Sequence, residues 1–124
     1  MSLHSRLQSG SVALLLLLAA CSGAGNPDAL IAKAQTAIAK QDLKTAEIHL
    51  KNLLQNHPEH AQGRMMLARL SVAAQDERSA AKEWQRALDA GADPEMVLPE
   101  LLSSLYGTAN LTELLAAAAR YPVK

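Results

Sequence analysis

Cys21 is the one cysteine in a chain of 124 residues, and His49, His57 and His60 are the other side chains grouped closely enough to suggest chemistry. A single cysteine cannot close an internal disulfide, which leaves covalent modification of its sulfur or an ordinary buried thiol near a terminus. His57 and His60 stand three apart, a spacing that suits a shared metal, but Pro58 between them breaks the helical face they would need. Neither a carboxylate nor a cysteine completes a zinc ligand set at the usual spacing, so these histidines read as solvated turn residues. The chain also lacks a glycine-flanked serine elbow and a phosphate-cradling glycine loop. Glu47 with Lys51, and Lys82 with Arg86 near Glu83, read as ordinary solvated helix faces. Neither an enzyme, nor a bound metal, nor a dissociable cofactor is expected from this inventory.

What distinguishes Cys21 is its position. It stands directly behind an unbroken apolar run, residues 12–20, which is itself preceded by Arg6. A short cationic start, a brief apolar core and small residues make a secretory signal. The run is too short for a spanning helix, which needs about 20 apolar residues. The tetrad Leu18-Ala19-Ala20-Cys21 resembles the lipobox of bacterial lipoproteins. That resemblance implies removal of residues 1–20 and transfer of a diacylglycerol and an N-acyl chain to Cys21, the first residue of the mature chain. Each buried methylene adds about 0.8 kcal/mol, so several acyl chains would hold the protein firmly. In that family an aspartate after the cysteine tends to mark the inner membrane. Ser22 therefore resembles an outer-membrane address facing the periplasm, with the inner membrane as the alternative. Residues 21–26, small and glycine-rich, read as the lipidated terminus and a flexible tether.

Charge narrows the partner class. Of 12 Lys/Arg residues Arg6 lies in the leader, leaving 11 against 12 Asp/Glu, interspersed along the chain. No sequence block of cations stands ready to neutralise a run of phosphates, so nucleic acid is not an expected partner. The mature length suits one small domain.

Residues 27–124 read as helices throughout. Pro27 fits the first helical position behind an Asn26 cap, and Leu30, Ile31, Ala34, Ala37 and Ile38 share one face. Leu43, Ala46, Leu50, Leu53 and Leu54 form the stripe of a second helix, which Pro58 must follow rather than join. A shift of 34 then superposes Gln41-Asp42 on Gln75-Asp76, Ala46 on Ala80, Leu50 on Trp84 and Leu54 on Leu88. That period resembles the tetratricopeptide repeat, a pair of helices per unit. Leu67 and Ala68 match the leucine–small pair of that family's first helix. Ala80, Trp84 and Ala87 match the small–aromatic–small triplet of its second. Small residues at Ala46 and Ala80 let paired helices approach, while Leu50 and Trp84 fill the space toward the next pair. The expected fold is all-α: about six helices in three units, near 27–60, 61–92 and 93–124, stacked as a short right-handed α-solenoid. The register fades in the third unit, where Ala80 becomes Leu114 and Trp84 becomes Ala118. Gly107 stands where a left-handed helix cap is expected, and Asn110 with Glu113 resembles a capping box.

Such a stack presents a groove along the first helix of each unit. Repeat register nominates Ile31, Gln35 and Ile38, then Met65, Arg69 and Val72, then Pro99, Ser103 and Tyr106. Methionine and aliphatic side chains suit an adaptable surface for a peptide or helix. The basic and asparagine cluster of chaperone-binding members is missing, since Ile31, Gln35, Met65 and Arg69 occupy those places.

Residues 29–34, the run 44–55, and Ala87-Leu88-Asp89-Ala90-Gly91-Ala92-Asp93-Pro94 with Val97-Leu98-Pro99 give a closer resemblance. Together with the leader they resemble the N-terminal portion of the tetratricopeptide lipoproteins of the exosortase (PEP-CTERM) system. The resemblance implies an envelope scaffold linked to exopolysaccharide production and protein sorting, with a periplasmic protein or peptide segment as partner. The alternative is a short or truncated outer-membrane repeat lipoprotein that serves as assembly factor for another envelope machine, such as pilus or outer-membrane protein assembly. Oligomeric state is not legible in the sequence.

Overall fold

The computed structural model describes residues 25–121. Cys21, the tetrad residues Leu18, Ala19 and Ala20, and the rest of the leader lie outside the described residues. Six helices follow one another: α1 (Pro27–Ala39), α2 (Leu43–Asn56), α3 (Ala61–Ala73), α4 (Glu77–Asp89), α5 (Pro94–Gly107) and α6 (Leu111–Arg120). Each packs on its neighbours in the chain, and no strand occurs among the described residues. The protein is a short helical-repeat solenoid.

The helices begin where side chains satisfy backbone donors that the first turn leaves unpaired. Asn26 Oδ1 accepts the Asp28 N–H at 3.0 Å ahead of α1, and Asp93 Oδ1 accepts the Glu95 N–H at 3.0 Å ahead of α5. Both are followed by proline at the first helical position, where no N–H is required. The second helix of each pair has its own cap. Asp42 accepts from Thr45 at 3.1 Å, Asp76 from Ser79 at 3.0 Å, and Asn110 from Glu113 at 3.2 Å. Hydrogen bonds from Thr45 hold the Asp42 carboxyl below its ordinary 3.8, and bonds from Ser79 do the same for Asp76.

Each of these caps follows a residue in the left-handed conformation: Gln41 (φ 58), Gln75 (φ 58) and Ala109 (φ 55). The three turns close alike. The N–H of Asp42 bonds Ala37 O at 2.9 Å, that of Asp76 bonds Ser71 O at 2.9 Å, and that of Asn110 bonds Leu105 O at 3.3 Å. This is the Schellman arrangement. Positions 41, 75 and 109 lie 34 apart, so the repeat period appears directly as backbone geometry, including in the third unit where the side-chain pattern fades. A residue with a Cβ pays roughly 1–2 kcal/mol in this conformation, and glycine does not. Ala109→Gly is therefore expected to raise stability by about 1 kcal/mol, read as a higher urea midpoint. Gly91 (φ 89) already holds glycine in the same conformation after α4, and Gly91→Ala is expected to lower that midpoint.

Gly107 is not such a cap. It ends α5, and the left-handed residue is Ala109. The reason for glycine at 107 is clearance, because a Cβ there would stand 3.0 Å from Glu77 Cγ at the start of α4.

The core divides at α3. One cluster joins α1 and α2 to Met66, Leu67 and Leu70; the other joins Ala68 to α4, α5 and Ala117 of α6. Ala46, Ala68, Ala80 and Ala87 are completely buried, as are Leu50 and, to within 1%, Trp84. The third pair packs differently. Leu114, in the register of Ala46 and Ala80, is only half-buried, and Ala118, in the register of Leu50 and Trp84, is exposed. A leucine holds α6 away where an alanine would let it close, and an alanine cannot bridge the gap that a leucine or tryptophan fills. Helix α6 consequently buries little beyond Ala117, and Leu111 and Leu115 stand 63% and 66% exposed.

Candidate functional site

Helices α1 and α3, the first members of consecutive pairs, flank a groove of about 520 Å³. Gln35, Ile38, Met65 and Arg69 line it together, with Leu43 from the first turn of α2 and Leu70 at its base. The helical period explains the set: Gln35 and Ile38 are one turn apart on α1, as are Met65 and Arg69 on α3. The wall is mostly apolar. Its polar groups are the amides of Gln35 and Gln62 and the guanidinium of Arg69, which forms no ion pair among the described residues. An apolar trough with one cation and two amides can enclose an aliphatic side-chain row and orient it by a few polar contacts.

Not every position nominated by register reaches this trough. Ile31 is buried in the first core cluster with leucines of α2 and with Met66 and Leu67, so it is a packing residue and not groove surface. Val72 is exposed on α3 but outside the groove wall. Pro99, Ser103 and Tyr106 lie exposed on α5, likewise outside it. Leu43, assigned by periodicity to the packing stripe of α2, is instead 39% exposed and lines the groove. It sits in the first turn of α2, two residues after the left-handed Gln41.

A second feature escaped the sequence reading. Glu83 is buried rather than solvated, and its two carboxylate oxygens accept from Arg64 Nη1 and Arg86 Nη1, each at 2.8 Å. Arg64 also donates from Nε to the Pro58 carbonyl at 3.0 Å. The ion cluster thus ties α3, α4 and the α2–α3 turn together. The signal was present: Glu83 falls on the stripe Ala80, Glu83, Trp84, Ala87, so a carboxylate had to enter the core side of α4 and find a cation there.

His57 and His60 are turn residues, partly buried rather than fully solvated, whereas His49 lies within α2 and is not a turn residue. His60 Nδ1 caps α3 by accepting the Gly63 N–H at 3.1 Å, and His57 follows the last residue of α2. Among the described residues no group of three or more His, Cys, Asp or Glu side chains stands placed to hold a metal ion. No described helix is long and apolar enough to cross a membrane. No protein-family model matches the chain, and no match is found among curated proteins or solved structures.

Proposed function

We propose that this protein is a lipid-anchored helical-repeat scaffold that binds a protein segment in the bacterial envelope through the α1–α3 groove. The observation that carries the reading is the juxtaposition of Gln35, Ile38, Met65 and Arg69 around one apolar trough on a rigid repeat frame. Paired helices supply the precision, and methionine supplies adaptability to the segment bound. The leader and Cys21 supply the address: export, acylation at Cys21 by diacylglycerol and an N-acyl chain, and retention at the outer membrane facing the periplasm. Within that setting the resemblance of residues 29–34, 44–55 and 87–99 to exosortase-system lipoproteins favours a role beside exopolysaccharide production and protein sorting.

Cross-linked pull-down of the full chain from envelope fractions tests the groove. Met65→Glu with Arg69→Glu is expected to abolish recovery of the partner captured by the parent, while helical content is retained. Equal recovery by the double variant removes the groove from the account. Cys21→Ser is expected to leave the protein unlabelled by radioactive palmitate, and continued labelling would end the lipid-anchor reading.

A further inference from the structure

The second helices of the repeats carry a different surface. Helices α4 and α6 flank an open cleft of about 840 Å³ whose floor includes Ala81, Leu101, Leu105 and Ala117. Its walls hold Arg78, Lys82, Arg86 and Arg120, with Glu113 the one acid among its lining residues. Ten of the chain's 12 cations belong to residues 25–121, as do all 12 acids, so the segregation is marked: four cations meet one acid in a single recess. Compensation is partial. Arg86 is held by Glu83 at 2.8 Å, and Arg120 lies 3.7 Å from Asp89, both partners largely solvated. Arg78 and Lys82 form no ion pair among the described residues, and both are exposed. Leu114, in the register where the other pairs have a buried alanine, is partly buried against the core and does not line the recess.

We infer that this cleft docks an acidic amphipathic helix of a partner protein. Arg78, Lys82 and Arg86 recur every fourth residue along α4, which spaces them by about 6 Å along the axis in a row that slants by about 40° per step. A helix with glutamates at i, i+4 and i+8 presents carboxylates at the same pitch, two of them opposite Arg78 and Lys82 and the third beside Arg86, which Glu83 already holds. Arg120 closes the opposite wall, and exposed Ala116 with the apolar stems of the cationic side chains meets the apolar face of the incoming helix, the alanines and leucines of the floor being almost wholly buried. A nucleic acid finds no aromatic side chain among the cleft's lining residues on which to stack a base.

Fluorescence anisotropy with the full chain in detergent tests this. The probe is a labelled synthetic helical peptide with glutamates at i, i+4 and i+8 and leucines on the opposite face. It is expected to bind, to weaken as salt is raised, and to lose at least tenfold in affinity to Arg78→Glu with Lys82→Glu. Arg78→Gln with Lys82→Gln, which removes charge without reversing it, is expected to lose less than the reversal. Circular dichroism checks that both variants keep the parent helicity. Equal binding by the charge-reversed variant overturns the inference, as does equal binding of a scrambled peptide of the same composition. Tighter, variant-sensitive binding to phosphatidylglycerol vesicles or to a single-stranded oligonucleotide also overturns it, assigning the cleft to a lipid surface or a nucleic acid instead.

Discussion

Trp84→Ala is expected to remove about 3–5 kcal/mol of folding stability, the usual range for emptying the site of a large buried aromatic. Small domains hold only about 5–15 kcal/mol in total, and a chain of this size sits toward the low end. The variant should therefore populate the unfolded state measurably in dilute buffer. Trp84 is 1% exposed in the cluster that joins α3, α4 and α5, and no other large side chain on α4 could occupy its place between two repeat pairs. Trp84→Phe separates volume from polarity. The indole Nε1–H is buried without a hydrogen-bond partner among the described residues, and a buried donor left unpaired costs about 1–3 kcal/mol. Phenylalanine gives up volume but also discards that donor, so the two effects oppose and the net change is expected to lie within about 1 kcal/mol. Urea unfolding followed by far-ultraviolet circular dichroism measures both, because the substitutions remove the sole tryptophan as a fluorescent reporter. A phenylalanine variant as unstable as the alanine variant would show that the indole has a partner, such as an ordered water, and that its N–H contributes to stability.

The spacing of the turns was legible in this chain, and their backbone geometry and the faces of the helices were not. The 34-residue shift aligned Gln41-Asp42 with Gln75-Asp76, but the left-handed residue was expected only at the glycine, Gly107, whereas hydrogen bonds within six residues close the turns at Gln41, Gln75 and Ala109. Ala109-Asn110 keeps the same geometry although its first residue differs, because the backbone bonds, and not the side chain at that position, close the turn. Burial is settled by the neighbouring pair. Ile31 and Met65 share a repeat position, yet Ile31 is enclosed by two helices' worth of leucine while Met65 faces the trough between α1 and α3. Leu43 likewise obeys the stripe of α2 but starts beyond the point where α1 covers it. Register identifies equivalent positions; it does not say which of them another helix will cover. The cationic cleft was illegible for the same reason, since its walls come from residues 78–86 and 113–120, separated in sequence and brought level only by stacking.

The buried ion cluster yields the second large effect. Glu83→Ala is expected to cost about 3–5 kcal/mol, because it leaves the Arg64 guanidinium buried and uncompensated. The two side chains are 10% and 12% exposed, so water offers little relief to the survivor. Arg64→Met should cost less than Glu83→Ala, since Arg86, 44% exposed, still faces the carboxylate. Replacing both, Arg64→Met with Glu83→Met, is expected to return stability to within about 1 kcal/mol of the parent or above it, as apolar replacements of buried ion pairs commonly do. Urea unfolding of the parent, Arg64→Met, Glu83→Met and the double variant forms a double-mutant cycle, and additive losses would show that the pair is not coupled. Stability is not the whole role of the cluster, however. Arg64 also holds the Pro58 carbonyl at 3.0 Å, which fixes the α2–α3 turn and with it the placement of α3 against α1. A methionine at 64 restores packing but cannot make that bond. The double variant should therefore fold as stably as the parent yet recover less partner through the groove, a separation that simple destabilisation cannot produce.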